Sequence, residues 1–164
     1  MPNTYSQIYI QIVFAVKNRE ALIHANWEAQ LQKYITGIVQ KKGQILMAVN
    51  GMPDHIHILI SMKPTYCLSD LVREVKKSSA TYINANDFSK FAFSWQEGYG
   101  AFSYAKWDVE KIVAYIRNQK EHHKKKSFRE EYLGFLKDFQ IEHNEKYLFE
   151  WHDETELYDP SGVG

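Results

Sequence analysis

The chain has 164 residues, twenty Lys or Arg against twenty Asp or Glu, and a 45% hydrophobic content that includes eleven tyrosines and nine phenylalanines, enough for one domain with a real core, alone or in a small oligomer. No apolar run approaches the ~20 residues that cross a bilayer, and the opening "MPNTYSQIYI" lacks a basic stretch followed by a long apolar one, so a cytoplasmic protein with no membrane partner is expected. The single cysteine, Cys67, excludes an internal disulfide or a Cys-rich zinc site and reads as a small buried residue.

In chain order, "SQIYIQIVFAVK" (6–17) is β-branched and aromatic with near-alternation, which predicts a first strand. Trp27, Leu31, Tyr34, Ile35, Ile38 and Val39 recur at helical spacing, and Gly43 stands where a helix ends. "QILMAV" (44–49) and "HIHILIS" (55–61) predict two strands joined through Asn50-Gly51, a hairpin cue, with Pro53 in the turn. A second helix carries Leu68, Leu71, Val72, Val75, Tyr82 and Ile83 on one side and Arg73, Lys76 and Lys77 on the other. "FAFSW" (91–95) predicts another strand, and the aromatic-glycine run "WQEGYGAFSY" (95–104) a loop or bulged strand.

From an N-cap at Asp108 a third helix is expected to reach about Lys124, with an apolar stripe of Val109, Ile112, Val113 and Ile116. Tyr115, Gln119 and His122 form a polar row beside that stripe. An amphipathic segment ending "YLFEW" closes a domain spanning 1–151, and 152–164 reads as an acidic, disordered tail. The order β-α-β-β-α-β predicts an α+β, ferredoxin-like (split βαβ) antiparallel sheet with helices on one face, plus a C-terminal helix carrying the tyrosine. The other sheet face is expected to be open.

The zero net charge hides an asymmetry. Residues 130–164 carry ten acidic and two basic side chains, so the remainder carries eighteen basic and ten acidic. "KIVAYIRNQKEHHKKKSFR" (111–129) alone has seven Lys or Arg and one Glu, a composition suited to a polyanion or, equally, to a solvated helix face.

His55 and His57 are the residues from which chemistry is read. Side chains alternate across a strand, so the two share one face while Ile56 and Ile58 take the other. They are either solvent-facing or a pair of imidazole ligands needing a third donor. The Gln119 amide would complete an uncharged, open site suited to Mg²⁺ or Mn²⁺ with phosphate oxygens and water. Tyr115, one helical turn before it, would lie beside a polarised phosphate as nucleophile.

"DHIHILI", "WQEGYGAFS", "VAYIRNQ" and the opening "YIQIVFAVKNR", in this order, resemble the HUH single-tyrosine transposases of small bacterial insertion sequences, including the REP-associated tyrosine transposases, over nearly residues 5–151. The resemblance implies a metal-dependent enzyme that cuts and rejoins single-stranded DNA at hairpin-marked ends through a 5′-phosphotyrosine intermediate. It implies a homodimer in which one subunit's tyrosine helix completes the other's His pair. His55, His57 and Gln119 then become metal ligands and Tyr115 the nucleophile. Many relatives carry a histidine in the first strand where this chain has Gln11, to which no role is assigned.

Asp54 is a candidate to orient a ligand imidazole, or a turn cap. Lys17, Arg19, Arg73, Lys76, Lys77, Arg117, Lys120, His122 and Lys124 are candidate DNA contacts, with His123 a further charge or phosphate contact. The rival readings are a replication initiator or relaxase, a domesticated hairpin-binding protein that does not cut, and a water-using metal hydrolase.

Overall fold

The computed structural model describes residues 3–152. The sheet has four antiparallel strands, β1 (Tyr9–Ala15), β2 (Ile45–Met52), β3 (His55–Ser61) and β4 (Gly100–Tyr104), in the order β2-β3-β1-β4. Between them run α1 (Ala25–Lys41) and α2 (Leu68–Ala85), and α3 (Val109–Arg117), α4 (Gln119–His122) and α5 (Phe128–Asp138) follow β4. This is the expected α+β architecture with the expected order of elements. The tail from residue 153 onward lies outside the described residues.

Period-2 alternation sorts β3 into two faces. Ile56, Ile58 and Ile60, with Ile12 and Phe14 of β1, join Leu31 and Ile35 of α1 and Leu71 and Val75 of α2 in the main core. Each such side chain removed from water contributes roughly 1.5–3 kcal/mol. Leu59, on the histidine face, packs instead with Ala48, Val109 and Ile116. The histidine face is therefore covered by α3 and, farther along, by α5, whose Phe135 stacks on Phe102 of β4 with ring centroids 5.0 Å apart. The expectation of an open second face is corrected: β3 is buried on both sides from His55 through Ile60.

Three local expectations also shift. Asn50 and Gly51 lie inside β2, opposite His57 and Ile56, and the chain reverses through Pro53 and Asp54 between the paired Met52 and His55. Gly51 answers a close approach rather than a turn, since a Cβ there would sit 2.2 Å from the His55 carbonyl oxygen. "FAFSW" forms no strand; only Trp95 bridges to Val16. The Phe93 backbone is satisfied by the Asn84 side chain, which accepts from its N–H at 2.8 Å and donates to its carbonyl at 3.0 Å. The fourth strand is the later Gly100–Tyr104.

The third helix breaks at Asn118, so Tyr115 and Gln119 stand on consecutive short helices. After α4 comes α5, capped by Ser127, whose hydroxyl accepts from the Glu130 N–H at 3.0 Å. Cys67, expected buried, is exposed at the start of α2.

Candidate active site

His55 and His57 are both fully buried, which removes the reading of them as solvent-facing. The His55 Nδ1 donates to the Asp54 carboxylate at 2.7 Å, leaving Nε2 turned inward. The Asp54 turn thus sets one ring. Gln11 sets the other: its Nε2 lies 2.9 Å from the His57 Nδ1, and its Oε1 accepts from the Tyr104 hydroxyl at 2.8 Å.

Gln119, also without exposure, places its Oε1 3.3 Å from the His55 Nε2 and 3.0 Å from the His123 Nε2. The structure therefore brings the predicted trio His55, His57 and Gln119 together, and adds two groups that sequence reasoning did not place there. His123 stands four residues after Gln119, on the same side of the chain. Glu131 of α5 brings its Oε1 to 2.9 Å from the His57 Nε2, 3.5 Å from the His55 Nε2 and 3.3 Å from the His123 Nε2. Its other oxygen, Oε2, accepts from the Gln119 Nε2 at 3.1 Å and from the Tyr115 hydroxyl. One sequence signal was available: Glu131 interrupts the otherwise aromatic and aliphatic stripe of Phe128, Tyr132, Phe135 and Leu136, and a carboxylate in a buried stripe needs partners.

The electrostatics follow from packing. Burial disfavours charge on His55, but the Asp54 and Glu131 carboxylates outweigh it and push its pKa up to about 9. His57 goes the other way, because burial outweighs its contact with Glu131. Burial opposes ionisation of Glu131, yet His57, His123 and His55 hold its carboxyl well below the usual range. Burial and the neighbouring carboxylate both push the Tyr115 phenol upward, so it stays protonated until something draws the proton away.

The ligating atoms of His55, His57, His123 and Glu131 all lie within 4.8 Å of one another, so this group can hold a metal ion. Three imidazole nitrogens, a carboxylate oxygen and the Gln119 Oε1 make a mixed nitrogen and oxygen donor set for a divalent ion. Tyr115 lies against the His57 of its own chain, ring centroids 6.1 Å apart, and under the His122 ring at 4.4 Å.

The predicted basic contacts are dispersed. Arg73, Lys76 and Lys77 lie on α2, which packs on the sheet face opposite the histidines. Arg73 pairs with Asp70 at 2.9 Å. Lys76 donates to the Gln96 carbonyl at 2.9 Å and to the Gly98 carbonyl at 2.5 Å, and burial draws its pKa down to about 8. Lys120 ties α4 to α1 and β2 through Glu28 at 2.6 Å and the Gly51 carbonyl at 2.7 Å. Lys124 meets Glu121 at 3.0 Å, while Lys17 and Arg117 are exposed and Arg19 opens the 3-10 turn Arg19–Ala21.

The chain is similar to known proteins in sequence and in fold. Residues 4–119 match the family described as transposase, IS200-like. The ISDra2 transposase TnpA of Deinococcus radiodurans is 27% identical over 74 residues, 45% of this chain and 53% of that protein, so the match spans about half the length of that relative. A crystal structure of a Deinococcus radiodurans R1 protein assigned as a transposase superposes with a TM-score of 0.59 at 22% identity, covering 73% of this chain and 95% of the other. A REP-associated tyrosine transposase bound to a REP hairpin gives a TM-score of 0.52 at 17% identity, covering 72% of this chain and 70% of that one. These two structures agree with the fold. With more than half of its length matched by the family pattern, the chain belongs to the IS200-like transposases.

Proposed function

We propose that this protein cuts and rejoins single-stranded DNA at hairpin-marked ends of a mobile element through a phosphotyrosine formed on Tyr115. The observation that carries this reading is the meeting, within one chain, of the Tyr115 hydroxyl with the carboxylate that faces His55 and His57. A site that only bound DNA would not require a nucleophile beside a set of metal donors.

Bound Mg²⁺ or Mn²⁺ would polarise the scissile phosphate and stabilise the charge that develops on it. His55 and His57 would hold the ion through their Nε2 atoms, with Gln119 Oε1 beside them; the Asp54 carboxylate keeps His55 in the tautomer that ligation needs. Tyr115 Oη attacks phosphorus, the P–O3′ bond breaks, and the phenol proton given up is balanced by the one the new 3′-OH takes on. Because the phenol remains a better leaving group than an alcohol, the 3′-OH can attack the phosphotyrosine and reseal the strand without ATP.

The partner is single-stranded DNA bearing a hairpin, reached by exposed basic residues such as Lys17 and Arg117. A homodimer belongs to this reading, with the tyrosine helix of one subunit completing the His pair of the other. Mixing His57→Ala with Tyr115→Phe subunits should then restore some activity through hybrid sites, and no rescue would mean that Tyr115 serves the His pair of its own chain, which it meets at 6.1 Å between ring centroids.

Incubation with a single-stranded hairpin substrate and Mn²⁺ should leave a denaturation-resistant adduct on the strand bearing the new 5′ end and a free 3′-OH on the other piece. Tyr115→Phe should abolish adduct and cleavage together while the melting temperature and hairpin affinity hold. An adduct that persists in the Phe variant, or two free ends with no adduct, would overturn this reading in favour of another tyrosine or of a water-using hydrolase.

A further inference from the structure

We infer that Glu131 is a two-sided carboxylate that couples metal binding to the nucleophile: one oxygen belongs to the ion's donor set, and the other holds the Tyr115 phenol in place. The inference deepens the function proposed above and rests on it for the identity of the nucleophile. The family match ends at residue 119, so α5 and its carboxylate lie beyond the segment by which the chain was placed in its family.

Glu131 is 4% exposed and its two oxygens have divided partners. Oε1 faces the Nε2 atoms of His57, His55 and His123, while Oε2 accepts from Tyr115 Oη and Gln119 Nε2. A carboxylate can serve a cation with one oxygen and a hydrogen-bond donor with the other, because each oxygen has two lone-pair directions.

The arrangement is held from outside the site. α5 is started by the Ser127 cap and pinned by Phe128, which stacks on the His55 ring with centroids 3.8 Å apart at 3°, and by Phe135, which meets the Tyr115 ring edge-on at 6.0 Å. Glu131 is thereby positioned between a ligand ring and the nucleophile ring by aromatic contacts to both. An ion that draws on Oε1 fixes the carboxylate plane, and the phenol attached to Oε2 follows. By reciprocity, the phenol must then influence the affinity for the ion.

The test is a double-mutant cycle read by direct Mn²⁺ titration of the full-length protein, with no DNA present. Glu131→Gln keeps the side-chain shape and removes the anionic donor; it should weaken Mn²⁺ binding by about tenfold or more. Tyr115→Phe should shift Mn²⁺ affinity by about threefold or more in the native background and leave it unchanged in the Glu131→Gln background. Glu130→Gln, one residue away on the exposed side of α5, should bind as the native protein does.

Melting curves establish that each variant folds, and Glu131→Asp, which retains the charge at shorter reach, substitutes if Glu131→Gln does not. Native Mn²⁺ affinity in Glu131→Gln would overturn the donor role. An equal effect of Tyr115→Phe in both backgrounds would overturn the coupling. Failure of the phosphotyrosine reading shows separately, as absence of the DNA adduct in the native protein, and leaves the titration outcome intact.

Discussion

The two faces of the sheet are built from alternate residues of the same strands yet follow opposite rules. On one, Ile12, Phe14, Ile56, Ile58 and Ile60 meet α1 and α2 chiefly through apolar contacts, with the Lys76 ammonium over the Phe14 ring. On the other, Gln11, His55, His57, Gln119, His123 and Glu131 are buried or nearly so, and each has hydrogen-bond partners or ion-pair contacts. Apolar packing is tolerant of which side chain fills a space, whereas a buried polar group left unpaired costs about 1–3 kcal/mol. The first face therefore supplies stability and the second supplies defined positions. A site with this many interdependent donors is held together because α5 closes over it.

The largest effect that would sharpen this contrast is expected on the apolar face. Phe14→Ala removes a fully buried ring that meets Trp95 edge-on at 4.7 Å and should cost about 3–5 kcal/mol in denaturant unfolding. The folded fraction should still bind Mn²⁺ with native affinity. A comparable loss of affinity would show that the faces are not separable.

A smaller effect is expected where α5 begins. Ser127→Ala removes the hydroxyl that accepts from the Glu130 N–H and should lower stability by about 1 kcal/mol. Because that cap orients the helix that carries Glu131, Mn²⁺ affinity should fall with it. A stability loss with unchanged affinity would place the control of Glu131 in its aromatic contacts instead.

The smallest effect, because solvent screens a half-buried ammonium, concerns Lys76, which lies 5.5 Å over the Phe14 ring and reaches Gln96 and Gly98. Its folded pKa, drawn down by burial to about 8, lies below the ordinary lysine value of 10.5. Between those values the unfolded chain binds more protons than the folded one, so this group makes stability rise with pH across that window. The melting temperature of the native protein should therefore gain on that of Lys76→Met between pH 8 and 10.5. An unchanged difference would mean that Lys76 titrates alike in both states.

Much of this was legible in the sequence because it depends on short periods. Alternation along 55–61 placed His55 and His57 on one face, helical spacing marked α1 and α2, and Tyr115 and Gln119 one turn apart pointed toward the same pair. The fold class and element order follow from the same local patterns. Where a local cue had two uses, the sequence misled: Asn50-Gly51 is a turn pair in isolation, but Gly51 serves the close approach of β3. The aromatic run at 91–95 has strand composition, yet Asn84 takes the Phe93 backbone groups that a ladder would have used.

What only the tertiary structure decided is the company that the histidines keep. His57 and Glu131 are 74 residues apart, and Gln119 is 64 from His55, distances over which no period operates. The break at Asn118 turns His123 inward, and the aromatic packing of α5 on Phe102 and His55 brings in Glu131. Local spacing governs which face a side chain occupies. Which side chains then converge is set by how the last helices pack on that face, because burial of their aromatic stripe, and not any neighbour in sequence, fixes where a single carboxylate comes to rest.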